Sequence, residues 1–240
     1  PSNTLLLFTD GSARGRRGGY GWHFILSDDY FRILSILPPY DPPDLNFNFN
    51  AILHIPVQSF RRMTYHQKRL HLYNHHVSLL QPLPFDLPRS GQHPLSTRTS
   101  IDFCEARAIS DPITTIGTLT HHTHQPHRFT NHNIHGIHII ADSLVVIHWI
   151  TGLYRIKNPR MKSIINDIHW NTAIIREDHN SIPIRIQWTK SHDDTIGNHA
   201  ADLHANDGCQ SVPYDDDNGW PVWKFYNIRA VLNQSKTFYK

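Results

Sequence analysis

Four acidic side chains in this chain are placed so that they could hold hard cations. Asp10 follows the apolar run Leu5-Leu6-Leu7-Phe8-Thr9 and enters a Gly11-Ser12 turn. Glu105 lies in Ile101-Asp102-Phe103-Cys104-Glu105-Ala106, Asp142 ends His138-Ile139-Ile140-Ala141, and Asp202 follows Asn198-His199-Ala200-Ala201. Carboxylate oxygens are the ligands that magnesium-like ions take. Singly, each acid has a plainer reading: Asp10 as a turn residue, Glu105 and Asp202 as first-turn helix charges, Asp142 as a helix cap. Carried by four different elements, they point instead to one convergent acidic centre.

Hydrophobic spacing identifies the elements that must do the positioning. Thr4–Thr9 reads as a buried strand ended by Asp-Gly. Gly18–Leu26 reads as a second strand and Tyr30–Leu37 as a third, with Ser27-Asp28-Asp29 as the turn between them. Residues 38–98 break this pattern: Pro-Pro pairs stand at Pro38-Pro39 and Pro42-Pro43, and only His66–Leu80 has helical spacing. Helical spacing returns at Ser100, with Asp102 as a cap and Glu105 in the first turn, and Pro112 is expected to kink or end that helix early. Gly136–Ala141 follows as a strand, Ser143–Ile150 and Pro159–Arg176 as helices, Ile182–Thr189 as a strand and His199–Asn206 as a helix carrying Asp202. This order predicts a three-layer α/β fold. The domain would span 1–207 with an insertion at about 38–98, followed by an aromatic C-terminal extension, 208–240, that holds Trp220, Trp223, Phe225 and Tyr226.

Composition sets the outer bounds. A chain of 240 residues with 39% apolar residues can bury one substantial core with an insertion or appendage besides, and a net charge of +3 argues only weakly for a polyanionic partner. The two cysteines, Cys104 and Cys209, are too few for a disulfide framework, which makes an intracellular, reducing compartment the expectation. No apolar run approaches the ~20 residues that span a bilayer, so no membrane association is expected. The sequence begins at Pro1, which suggests a processed product or a fragment of a longer polypeptide. Histidine is abundant, at 20 residues. The tract His121-His122-Thr123-His124-Gln125-Pro126-His127 reads as a polar loop, with transition-metal binding as the minority reading because cysteine partners and regular ligand spacing are lacking.

Thr9-Asp10-Gly11-Ser12, Gly18-Gly19-Tyr20-Gly21, Glu105 near a helix start, Asp142-Ser143 after a strand, and Trp188-Thr189-Lys190-Ser191-His192 before Gly197-Asn198-His199-Ala200-Ala201-Asp202 resemble type 1 ribonuclease H. The closest flavour is the ribonuclease H domain of retroelement reverse transcriptases. The resemblance covers about the first 35 residues and most of 100–206. It implies a ribonuclease H-like three-layer fold, with a mixed five-stranded sheet of three antiparallel strands then two parallel ones, flanked by helices. It also implies an endonuclease that cuts the RNA strand of RNA/DNA hybrids, within a reverse transcriptase or a larger ribonucleoprotein. Two Mg2+ ions, with Mn2+ as the substitute, would sit on Asp10 as the bridge, on Glu105 and Asp142 for one ion, and on Asp202 for the other. His192, on a loop ahead of a flexible Gly197, would assist proton movement and product departure.

The implied reaction makes the same physical demand. In-line hydrolysis of a phosphodiester needs charge compensation at the attacking water and at the leaving oxygen, and two ions roughly 4 Å apart provide it. For substrate, the basic loop with Arg14, Arg16 and Arg17 could fork guanidinium groups onto phosphates, or be a solvated turn. Lys157, Arg160 and Lys162 form a second basic group where the family often contacts the DNA strand, and Gly11, Ser12 and Glu105 would read the RNA 2′-hydroxyl. Ile101 and Asp102 stand where the family commonly has polar Asn residues, so hybrid preference is less firmly implied than metal binding. The glycine loop after Ser12 is also shorter than is usual in the family. The rival readings are a DNA-cutting nuclease on the same fold and a non-catalytic interaction module.

Overall fold

The apolar run at the start of the chain becomes the centre of a sheet. The computed structural model describes residues 3–14, 17–38, 63–84, 87–95, 99–121, 129, 133–178, 182–190 and 195–211. Strand β1 (Asn3–Arg14) is buried without a break from Leu5 to Asp10, because both faces of the sheet are covered. It pairs antiparallel with β2 (Arg17–Leu26) and parallel with β4 (Ile134–Ala141). Strand β3 (Ser90–Leu95) pairs antiparallel with β2, and β5 (Ile184–Trp188) pairs parallel with β4, giving the order β3-β2-β1-β4-β5. Three antiparallel strands followed by two parallel ones form the mixed sheet that the ribonuclease H resemblance implies.

Alternation along β1 feeds two cores. Leu5 and Leu7 pack with Ile109, Ile113 and Ile116 of helix α3 (Ile101–His121) and with Ile164, Ile165 and Ile168 of α5 (Pro159–Asp178). Leu6 and Phe8 face the other layer. There α1 (Ser27–Ile36), α2 (Tyr65–Ser78) and α6 (Ile196–Gln210) contribute Ile33, Leu72, Tyr73 and Ala200. Buried His23 bonds the Tyr73 hydroxyl at 2.9 Å, which supplies a polar partner inside that second layer.

Several expectations about secondary structure are corrected. Gly11-Ser12 is not a turn that ends the first strand: the ladder with β2 carries β1 on to Arg14, with Gly11 opposite Tyr20 and Ser12 opposite Gly19. Tyr30–Leu37 is not the third strand: Ser27–Ile36 is a helix, with Tyr30, Ile33 and Leu37 buried at helical spacing and Asp28 and Asp29 in the first turn. A short apolar run satisfies either period, and packing on β1 decided it. The third strand is Ser90–Leu95, within the excursion. It has little apolar signature because it is an edge strand, where Pro94 is tolerated. Its Gly91 lies opposite Trp22, where a Cβ would meet the indole at 2.1 Å. The helical spacing seen at His66–Leu80 is realised as α2, opened by a capping box between Thr64 and Gln67.

Pro112 does not stop α3, which runs on to His121. One lost helical hydrogen bond is outweighed by burial of Ile109, Ile113 and Ile116 along the same helix. Nor does Asp102 cap that helix: Ser100 Oγ accepts from the Phe103 N–H at 3.3 Å, which places Glu105 past the first turn. The His122–His127 part of the histidine tract and the aromatic extension beyond Ser211 lie outside the described residues. Among the described residues, no helix is long and apolar enough to cross a membrane.

Candidate metal centre

Register places the first two acids side by side. Phe8 pairs with Ile140 and Thr9 with Ala141 in the parallel β1–β4 ladder, so Asp10 and Asp142 are the next residues on adjacent strands. Ser143 Oγ accepts from the Val146 N–H at 3.4 Å, and the capping of α4 (Leu144–Ile150) thereby falls to Ser143 rather than to Asp142. Trp188 Nε1 donates to the Asp142 carbonyl oxygen at 2.9 Å, and the Thr189 N–H donates to Ala141 O at 2.9 Å. The end of β5 thus fixes the backbone that presents Asp142.

Glu105 arrives from α3 because Gly11 lets it in. A Cβ at Gly11 would lie 2.6 Å from the Glu105 nitrogen and 2.8 Å from the Cys104 Cβ, so any side chain there would push the helix off the strand. The result is a group of three: ligand oxygens of Asp10, Glu105 and Asp142 lie within 4.8 Å of one another. Asp10 and Glu105 are each only 6% exposed. Among the described residues this is the one group of His, Cys, Asp and Glu side chains close enough to share an ion.

Helix α6 brings the fourth acid nearby. It lies directly on the glycines of β2: a Cβ at Gly19 would come within 2.1 Å of the Cys209 nitrogen, and one at Gly21 within 2.5 Å of the Ala205 nitrogen. Gly197, expected as a flexible position, is a packing position instead, since its missing Cβ would meet the Phe8 ring at 2.4 Å. Asp202 stands outside the group of three but close enough for its charge to act on Asp10.

The electrostatics are those of like charges brought together under burial. Burial, and then the charges of Glu105, Asp142 and Asp202, push the Asp10 carboxyl up to about 10; the Gly11 N–H opposes this. Burial and the Asp142 charge likewise raise Glu105 to about 8. Glu105 Oε2 is buried with no hydrogen-bond partner. An all-oxygen donor set, mutual repulsion and an orphaned carboxylate oxygen are what a hard divalent cation would satisfy.

The remaining expected residues divide into three sets. Ser12 and Arg14 are drawn into the site through Asn206, which sequence reading had missed: its Oδ1 accepts from Ser12 Oγ at 2.9 Å and from Arg14 Nη2 at 3.0 Å, and its Nδ2 donates to Asp202 Oδ1 at 2.7 Å. The available signal was the i, i+4 spacing of Asp202 and Asn206 on a helix. Arg14 pairs with Arg17 at the tip of the β1–β2 hairpin. Lys157, Arg160 and Lys162 are exposed before and along the start of α5; Lys157 lines a cavity of about 290 Å³ with Ser100, Asp102, Trp149 and Arg155. Arg16 and His192 lie outside the described residues.

Solved structures similar to this chain include the N-terminal ribonuclease H domain of a Mycobacterium tuberculosis protein, 13% identical, with 87% of this chain and 95% of that one covered at a TM-score of 0.47. Ribonuclease H1 of Halobacterium salinarum is 10% identical, with 86% and 98% covered and a TM-score of 0.44. LC11-RNase H1, solved in complex with an RNA/DNA hybrid, is 13% identical, with 86% and 97% covered and a TM-score of 0.46. No family model and no curated protein matches the chain.

Proposed function

We propose that this protein is a divalent-metal-dependent endonuclease that hydrolyses the RNA strand of RNA/DNA hybrids. The observation that carries the reading is the convergence of Asp10, Glu105 and Asp142 within 4.8 Å, the first two buried, with Asp10 on β1 beside Asp142 at the end of β4 and Glu105 reaching them from α3. Natural selection has no structural use for carboxylates that repel one another in a buried site, whereas paired cations would convert that repulsion into affinity.

Asp10 would bridge two Mg2+ ions, Glu105 and Asp142 would complete one site and Asp202 the other, with Mn2+ as a substitute. The bound ions supply charge compensation at the attacking water and at the leaving oxygen. The chain's own residues orient and exclude. Gly11 closes α3 over β1, Trp188 fixes the Asp142 backbone, and Arg14 offers a guanidinium at the hairpin tip for a neighbouring phosphate. Lys157, Arg160 and Lys162 offer a second cationic contact, to the DNA strand, whose strength would fall with salt. His192 would move a proton near the departing product, and its replacement by alanine should slow turnover without ending it. The motif likeness to retroelement reverse transcriptases makes such a polypeptide the parent to test.

The test is cleavage of matched hybrid, duplex RNA and duplex DNA by the full chain across a Mg2+ titration, with Asp10→Asn as the control. Mg2+-dependent cutting of the RNA strand in the hybrid alone is the expected result. Cutting of duplex DNA would move the protein to the rival nuclease class. Equal activity of wild type and Asp10→Asn would remove the catalytic assignment.

A further inference from the structure

Asn206 sits one helical turn beyond Asp202 and joins two elements that are 192 residues or more apart in sequence. Its orientation is dictated by its partners: a guanidinium only donates and an ionised carboxylate only accepts, so the carbonyl must face Arg14 and Ser12 and the amide must face Asp202. The three bonds, at 2.9, 3.0 and 2.7 Å, leave little freedom to the Asn206 amide group.

We propose that Asn206 is a positioning residue that holds Asp202 toward the acidic centre while keeping Arg14 apart from it. This rests on the reading of Asp202 as a cation ligand. The Asp202 charge is close enough to act unfavourably on that of Asp10, and the Asn206 amide holds one of its carboxylate oxygens in place. A neutral amide is suited to that task. It steadies one carboxylate oxygen without neutralising the charge, whereas a lysine or arginine at position 206 would compete with a cation for the same acid. The same amide answers a second problem. Arg14 approaches the site, yet among the described residues it makes no ion pair, because its guanidinium ends on the Asn206 carbonyl. The positive charge is thus kept for an incoming phosphate instead of being spent on Asp202.

The experiment is calorimetric titration of Mg2+ into the full chain as wild type, Asn206→Ala and Asn206→Gln, with melting curves for each and the Mg2+ requirement for hybrid cleavage alongside. Asn206→Ala is expected to weaken the weaker Mg2+ site about tenfold and to raise half-activating Mg2+ by a similar factor, with cleavage at saturating Mg2+ largely retained. Asn206→Gln, which still offers an amide at i+4 to Asp202, should recover most of the affinity. Unchanged Mg2+ affinity in Asn206→Ala, equal losses in both variants, or no Mg2+ binding by wild type would each overturn the proposal. Wild type that binds two Mg2+ ions but cuts no hybrid would end the nuclease reading and leave the affinity comparison to decide the role of Asn206. If Asn206→Ala does not fold, the side-chain amide resonance of wild-type Asn206 provides the second measurement. It should move in step with Mg2+ occupancy, and a resonance that stays still overturns the proposal.

Discussion

Helix α3 carries two polar clusters, one half-buried and one buried, that treat charge in opposite ways. Around Asp111 every charge is answered: Arg107 bonds it at 2.8 Å, the Tyr20 hydroxyl donates to it, and the Arg107 guanidinium lies 5.9 Å from the Tyr20 ring centroid. Around Glu105, nearer the helix start, three carboxylates crowd together, Glu105 Oε2 has no partner, and repulsion adds to burial in raising Asp10 and Glu105. The first cluster is complete as the chain folds. The second gathers like charges without a cationic side chain among the described residues, and that difference is what supports the proposal of a cation site there.

Replacing an acid should affect the two clusters in opposite directions. The largest expected effect is Asp10→Asn, which should lower hybrid cleavage by about three orders of magnitude or more, since the ligand proposed to serve both ions would be lost. In a chelating buffer the same variant should melt at a higher temperature than wild type, because a buried and repelled carboxylate has been neutralised. A lower melting temperature would mean that Asp10 is compensated in a way the geometry omits. Asp111→Ala should do the reverse, keeping most of the activity while destabilising the fold by about 1–3 kcal/mol in urea, as Arg107 and Tyr20 lose their acceptor.

Gly11→Ala sharpens the contrast by moving the helix rather than a charge. The added Cβ, 2.6 Å from the Glu105 nitrogen, should cost about 1–3 kcal/mol in urea and reduce cleavage strongly, because α3 must shift away from Asp10. Stability with activity intact would show that Glu105 does not need this approach.

The smallest effect is a slope with pH. Asp10 and Glu105 have folded values of about 10 and about 8, above their ordinary 3.8 and 4.5, so the native state holds protons that the unfolded chain has already lost. Their contribution is fully present below the unfolded values and is lost as pH rises toward the folded ones. Buried His23, lowered to about 3 by desolvation, acts in the opposite sense below its ordinary 6.5, which makes pH 6.5 to 8 the clean window. Unfolding free energy without divalent ions should fall across that window. Saturating Mg2+ should flatten the slope, and Asp10→Asn should reduce it; a slope insensitive to both would detach these acids from the pH response.

The acids were legible in the sequence because each lies in or beside an element with a strong local signal. Strands at the Leu5–Thr9 and Gly136–Ala141 runs and the helix through Asp202 were readable from apolar spacing, and so was the mixed sheet through the motif resemblance. The strand at Ser90–Leu95 was not, since SGQHPL carries no period and its place is given only by pairing with β2. Tyr30–Leu37 was misread because its buried residues fit a strand as readily as a helix until β1 is there to pack against. Asn206 lay four residues past a residue already singled out, yet nothing local says that Ser12 and Arg14 would meet it.

The sequence by itself determined which side chains are available and which local elements carry them, because those follow from residue type and short-range periodicity. Tertiary structure alone decided that Asp10 and Asp142 lie side by side where the β1–β4 ladder ends, that Gly11 admits Glu105, and that Asn206 spans the gap to Arg14. These are contacts across nearly the whole chain, and their energies arise only once the two layers have closed on the sheet.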